Sequence, residues 1–309
     1  MAVALKTVGV IRNPRSHGNR GAVAEEGPPG VRYAEPLTPA ALSRDLRDFA
    51  ADGVDLIVID GGDGTVREVL SALPAAYGGA EPALAVLPSG KTNILALDLG
   101  ARKSWTLETV LRRAREPEPI YKQRAPLEIS WADGVRPPVR GFVFGMGAFV
   151  RATQMAQSVH RMGAYHSLAV GMTVAGAAVG ALFGGSRDVW RQGVVANARL
   201  DEGSFRAGPR FVLMATTLKR LPFGLKPFGP PTDEMKVLDV DAPPRKLALA
   251  IPMVLGGRKA GWLERNGYRR RNAERLSVAS EEPIIVDGEI FPGGEVIVRR
   301  GRPMRFLAP

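Results

Sequence analysis

Apolar residues in the first third of the chain fall into two alternating rhythms. KTVGVIR (6–12), DLIVID (55–60) and ALAVL (83–87) are short, almost unbroken apolar runs, the pattern of strands in a parallel sheet covered on both faces. Between them, residues 38–51 put Leu42, Leu46 and Phe49 on one side of a helix, and further helices are predicted at 65–73, 92–98 and 104–115. A Gly/Pro-rich loop through Pro28, Pro29 and Gly30 follows the first strand. Strand–helix alternation with short glycine-bearing turns predicts a doubly wound α/β domain.

From about residue 119 the pattern changes. Pro117 and Pro119 break the alternation, and LEISWADG, RGFVFG, VVANARL and RFVLMATT read as strands with turns between them. Helical character returns over 150–183, and the C-terminal IIVDGEIFPGGEVIVRRGRPMRFLAP again reads as strands joined by Gly/Pro turns. The expected fold is an α/β domain over 1–118 followed by a β-rich, sandwich-like domain over 119–309, with the extreme C-terminus packing back on the first domain. No internal repeat is evident.

Composition narrows the chemistry. With 309 residues there is room for two cores. The absence of cysteine excludes disulfides and thiolate metal sites and fits a cytoplasmic protein. Only three histidines occur (His17, His160 and His166), so any metal should be a hard cation on oxygen ligands, such as magnesium. The net charge of +11 implies anionic partners: nucleotide phosphates, acidic lipid head groups or nucleic acid. Nucleic acid is not expected, because there is neither zinc-finger spacing nor a basic stripe interleaved with aromatics. Short arginine clusters such as Arg269 to Arg271 read as a solvated basic face. The start of the chain carries Lys6 inside its apolar run and reads as a strand, not a signal peptide. Ser167 to Ser186 is uncharged but rich in Gly and Ala, so it reads as a buried helix or a membrane-leaning surface before a spanning helix.

Three constellations could carry chemistry. In DLIVID-GGDGT-VREVLSAL a buried strand ends at Asp60, and Gly61, Gly62 and Gly64 allow close backbone approach to an anion at a helix N-terminus. Asp63 could hold a magnesium ion or order its waters. A structural reading stands beside this one: Thr65 and Glu68 match a T-x-x-E capping box. The second, ALAVL-PSGKT-NILALDLG, places Gly90, Lys91, Thr92 and Asn93 in a strand-to-helix turn too short for a true P-loop, since Ala85 stands where the first P-loop glycine would be. The third, VDGEIFPGG, offers Asp287 or Glu289 as a general base, or else an ordinary Asp-Gly hairpin turn.

In order and spacing together, VGVIRNPRSHGNR, GGDGT with Glu68, LPSGKTN followed by ALDLG, FVFGMGAF and VDGE resemble the diacylglycerol kinase catalytic-domain family, which includes bacterial lipid kinases and sphingosine kinases. The resemblance implies an α/β nucleotide-binding domain and a β-sandwich-like domain. It further implies ATP as phosphoryl donor with Mg2+, and transfer to the hydroxyl of a diacylglycerol-like or sphingoid lipid. It places Asn13, Gly62, Asp63, Gly64 and Thr65 around the phosphates, and Asp287 as the base with Glu289 beside it. It also implies a cytoplasmic protein that associates peripherally with an anionic membrane surface; a homodimer is one option. GGDGT is shared with NAD kinases, which keeps a soluble-substrate kinase as an alternative. A non-catalytic lipid- or nucleotide-binding descendant is another, because the family's P-x-G-T-x-N-D reads here with Lys91 for the threonine and Ile94 for the aspartate. Ala125 and Pro126 stand where many relatives carry an acidic residue, and Ala34 replaces a threonine that often follows the second strand.

Overall fold

The three apolar runs form the centre of one sheet. In a computed structural model, which describes residues 7–21, 30–161 and 190–309, the first part of the chain runs β1 (Val8–Arg12), β2 (Val31–Ala34), α1 (Pro39–Ala51), β3 (Leu56–Gly61), α2 (Asp63–Tyr77), β4 (Ala83–Pro88), α3 (Ile94–Leu99), α4 (Leu107–Ala114) and β5 (Tyr121–Arg124). The strand order is β2-β1-β3-β4, all parallel, continued by the C-terminal strand Met304–Leu307 and then β5. Because β5 pairs with Met304–Leu307, the first compact unit extends past residue 118 to Pro126 and also takes in Val139–Gly141 and Gly301–Pro309.

Each face of this sheet is covered. Val8, Val10, Leu56, Val58, Ala83 and Ala85 alternate along their strands and pack with Trp105, Val110 and Leu111. On the other face a Cβ on Gly9 would lie 2.5 Å from the Phe49 ring, so glycine is what admits α1. That helix begins where the sequence predicts: Thr38 accepts the N–H of Ala41, Pro39 occupies the first turn, and Leu42, Leu46 and Phe49 are buried. α2 is longer than its prediction at both ends. Gly62 is its N-cap, it continues through Pro74, and Gly78 in the left-handed region ends it by donating to the Pro74 carbonyl.

The second unit comprises Leu127–Pro138 and Phe142–Arg300. Two antiparallel sheets dominate it. One orders Asn197–Leu200, Arg275–Ser280, Gly294–Arg300 and Leu127–Trp131. The other orders Tyr268–Ala273, Met235–Asp241, Pro209–Thr216, Val143–Gly147, Ile284–Val286 and Glu289–Phe291. The helices Leu247–Leu255 and Gly261–Arg265 cover the outer face of the second sheet through Leu247, Ala250, Val254 and Leu263. Of Arg269 to Arg271, only Arg271 is exposed as a solvated face requires; Arg269 and Arg270 are partly buried. All three lie in a strand, where Arg269 pairs with Asp241, Arg271 with Glu264, and Arg270 donates to the carbonyls of Pro227, Val254 and Arg258. The helix Ala148–Arg161 begins the predicted helical stretch, and the uncharged segment 167–186 lies outside the described residues. Among the described residues no helix is long and apolar enough to cross a membrane.

Candidate functional site

β1, β3 and β4 are parallel, so the loops leaving their C-terminal ends lie on one side of the sheet. The strand order turns back between β1 and β3, the place where open α/β sheets form a crevice for ligands. Three loops meet there. The first begins with Asn13, whose N–H donates to the Asp60 carbonyl at 2.9 Å, and Asn19 donates through its side chain to the carbonyls of Asn13 and Asp60. Gly18 donates to the Ser89 carbonyl at 2.8 Å, tying the first loop to the third. Ser89 in turn donates to the carboxylate of Asp60.

The second and third loops touch backbone to backbone. A Cβ on Gly90 would sit 2.4 Å from the Gly62 Cα and 2.7 Å from Asn93 Oδ1. Glycine at 90 is therefore required for the approach, independently of any ligand, and a Cβ on Gly62 would be tight at 3.1 Å from the Gly90 Cα. Gly90→Ala is expected to cost about 1–3 kcal/mol through overpacking, seen as a lower thermal midpoint, while Thr92→Ala, at an exposed position, leaves the midpoint unchanged. Equal midpoints for the two variants would show that the loops part without penalty.

Several predicted residues turn out to have structural partners. Asp63 is expected to hold magnesium; its carboxylate accepts the N–H of Ile94 at 2.8 Å and caps the start of α3. Burial pushes the Asp63 carboxyl above its usual range, against the pull of backbone donors from Asn93 to Leu95. Among the described residues no three acidic or histidine side chains gather as a metal site. Asn93 braces its own loop: Oδ1 accepts the Gly90 N–H at 2.7 Å, and Nδ2 donates to the carbonyls of Pro88 and Gly90. The Thr65–Glu68 capping box does not form, because Thr65 lies inside α2 and accepts a 2.8 Å hydrogen bond from the Asn13 side chain. Lys91 and Thr92 are exposed at the tip of the third loop.

Beside these loops lies a cavity of about 150 Å³, whose lining includes Asn13, Arg15, Leu37, Thr38, Thr65 and Glu68. Of these, Asn13 and Thr65 are among the residues the resemblance puts around the phosphates, whereas Arg15, Leu37 and Thr38 carry no such signal in the sequence. Arg12 forms a further part of the wall and was also missed. Its buried guanidinium donates to Glu35 at 2.5 Å and lies 3.5 Å from Asp60. Only the RNP start of the first loop could have signalled this arginine, and its partner sits at the end of a strand the sequence barely marks.

In the second unit, Asp287 and Gly288 are the central residues of a two-residue hairpin, with φ of 46° and 86° and Val286 opposite Glu289. Positive φ at both positions is the geometry for which Asp-Gly is favoured. The Asp287 carboxylate reaches back to accept the N–H groups of Phe142 and Val143, at 3.0 and 2.8 Å. Glu289 is exposed at the start of the returning strand.

Comparison with known proteins places this arrangement. Residues 31–120 match the model of the diacylglycerol kinase catalytic domain. A 48-residue stretch is 46% identical to a Citrobacter koseri protein described as "Probable lipid kinase YegS-like"; it spans 16% of this chain and 16% of that relative's length. A solved diacylglycerol kinase structure from Bacillus anthracis str. Sterne superposes with a TM-score of 0.63 at 14% identity, covering 99% of this chain and 98% of that one. A second structure from the same organism gives a TM-score of 0.68 at 14% identity over the same shares. The α/β region followed by antiparallel sheets is thus the fold of these structures, and residues 31–120 are similar to the diacylglycerol kinase catalytic domain.

Proposed function

We propose that the chain transfers the γ-phosphate of ATP to the hydroxyl of a lipid, diacylglycerol-like or sphingoid. The observation that carries this reading is the convergence of three glycine-bearing loops beside the cavity lined by Asn13, Thr38, Thr65 and Glu68. α2 has no side-chain cap at Gly62, so its first-turn N–H groups are donors suited to phosphate oxygens. Leu37 and Leu42 give the cavity an apolar side for a base, and Glu68 can accept from an exocyclic amine. Arg15, in the cavity wall, and Lys91, at the loop tip, supply positive charge near the phosphates. Asp287 acts as general base on the lipid hydroxyl.

The residues present do not fit a magnesium ion held by the protein itself: Asp63 is committed to α3, and Ile94 offers no donor. Magnesium therefore enters as the counter-ion of the nucleotide substrate. On this reading Asp63→Asn keeps MgATP affinity within about threefold, because an amide oxygen can still accept the Ile94 N–H. Titration calorimetry decides this; a loss of roughly 10–100-fold, the size expected when a metal site is disturbed, would restore the metal role.

The test of the reaction is transfer of label from radiolabelled ATP to a mixed lipid extract. A labelled lipid identifies the product class. No labelled lipid, with ATP binding intact, would leave a binding protein. The charge of +11 further suits an anionic membrane surface. The protein is expected to sediment with anionic vesicles, less so at high salt, and equal partition with neutral vesicles would remove the electrostatic part of that idea.

A further inference from the structure

The second unit contains a cavity that the phosphoryl-transfer reading does not use. It has a volume of about 310 Å³ and opens between the two sheets, where Asn197–Leu200 and Arg275–Ser280 face Pro209–Thr216, Met235–Asp241 and Tyr268–Ala273. Its interior is apolar, formed by Ala198, Leu200, Leu213, Val237 and Leu276. Its rim is ionic, carrying Arg206, Asp239, Arg269 and Arg271.

The rim has a definite charge. Arg206 donates to Asp239 and, at 2.8 Å, to Asp241. Arg269 grips both oxygens of Asp241 at 2.8 Å. Behind them Arg210, fully buried, places Nε 3.0 Å from Asp239. Three guanidiniums thus share two carboxylates, leaving one positive charge over. The outermost arginine, Arg271, is half exposed and pairs with exposed Glu264. Burial pushes the Asp239 carboxyl upward despite these arginines, with Asp241 adding to the shift, so the rim around it is poorly solvated.

We propose that this cavity binds a single acyl chain bearing an anionic head group, a carboxylate or a phosphate monoester, with the chain between the sheets and the head among Arg206, Arg269 and Arg271. The apolar interior excludes a small hydrophilic anion as the preferred ligand, and the surplus positive charge disfavours a cationic amphiphile. At this volume the cavity is at the small end of ligand pockets, which run roughly 300–1,000 Å³, so it takes one chain and not the two of a phospholipid. The loop 201–207 shapes the mouth. Asp201 anchors it by accepting the N–H groups of Glu274 and Arg275 at 2.9 and 2.8 Å, and Phe205 is left exposed with the Arg199 guanidinium over its ring at 4.5 Å.

The test is titration calorimetry on the full chain with dodecanoate, dodecyl phosphate, dodecanol and dodecyltrimethylammonium, each below its micelle-forming concentration. One anionic ligand per chain is expected, at least about tenfold tighter than the alcohol or the cation. Preference for the carboxylate or for the phosphate tells a fatty acid from a phosphorylated lipid. Ala198→Leu fills the cavity and should weaken the anionic ligand at least about tenfold, with the circular dichroism melt unchanged. Arg271→Gln, at an exposed position that does not endanger the fold, should narrow the gap between acid and alcohol. No saturable binding, equal affinity for the alcohol, or affinity indifferent to both variants would overturn the proposal. Because the readout is binding without ATP, it stands or falls separately from the kinase assay.

Discussion

Asp287→Asn is expected to lower lipid phosphorylation by about 10²–10⁴-fold, the usual contribution of a general base, while ATP affinity stays unchanged. The substitution is chosen for the turn it sits in. Asp287 holds a φ of 46°, a conformation that asparagine tolerates nearly as well as aspartate. Its Oδ1 accepts the N–H groups of both Phe142 and Val143, and an amide oxygen can keep both. Asparagine therefore removes basicity and preserves the hairpin. Alanine would remove both at once, and a dead Asp287→Ala enzyme would not tell base from brace. The decisive comparison is activity against thermal midpoint: a large loss of rate at an unchanged midpoint assigns the base. If the asparagine variant works within threefold of wild type, Asp287 is a turn residue alone, and the base must be sought elsewhere in the second unit.

The same residue shows what a sequence can and cannot disclose. VDGE announces a hairpin, because Asp-Gly between apolar runs has few other uses. It cannot announce that the carboxylate reaches N–H groups 145 and 144 positions away. GGDGT likewise marks an anion-ready turn, yet the partner of Asp63 is the backbone of Ile94 in another loop. Asn93 is closer to legible, since its bonds to Gly90 span three residues, a spacing typical of side-chain-braced turns. Fold signals follow the same division. DLIVID and ALAVL were readable because both faces of their strands are buried. YRRRNA (268–273) and MKVLDVD (235–241) were not, since their charges are satisfied across the sheet by one another and by distant carbonyls. The end of α2 was hidden for a different reason. Proline normally stops a helix by removing the bond to the carbonyl four residues back, yet α2 continues one turn past Pro74 until Gly78 closes it.

Arg124→Ala is expected to destabilise the protein by about 3–5 kcal/mol, the cost of breaking a buried ion pair from one side. Asp98, in the DLG that ends α3, has a side chain with no exposure at all, and its partner is Arg124 on β5. The guanidinium donates to the Asp98 carboxylate and, through its other nitrogen, to the Asp98 carbonyl. Lys122, on the same strand, donates to the Leu99 carbonyl at 2.5 Å, so β5 holds the last turn of α3 from the side. α3 follows directly on the loop that Asn93 braces and Asp63 caps. Loosening it should therefore be felt as weaker ATP binding as well as a lower melting temperature. A double replacement by apolar residues, Asp98→Leu with Arg124→Met, separates the two effects. Buried ion pairs exchanged for well-packed apolar groups are often neutral or stabilising, so the double variant should recover most of the stability lost by Arg124→Ala. If it recovers ATP binding too, the pair serves only to hold α3. If stability returns without ATP binding, the orientation that the ion pair imposes on α3 is itself part of the nucleotide site. An Arg124→Ala protein as stable as wild type would mean that Asp98 is relieved by water or by protonation, and that β5 does not hold α3 through this pair.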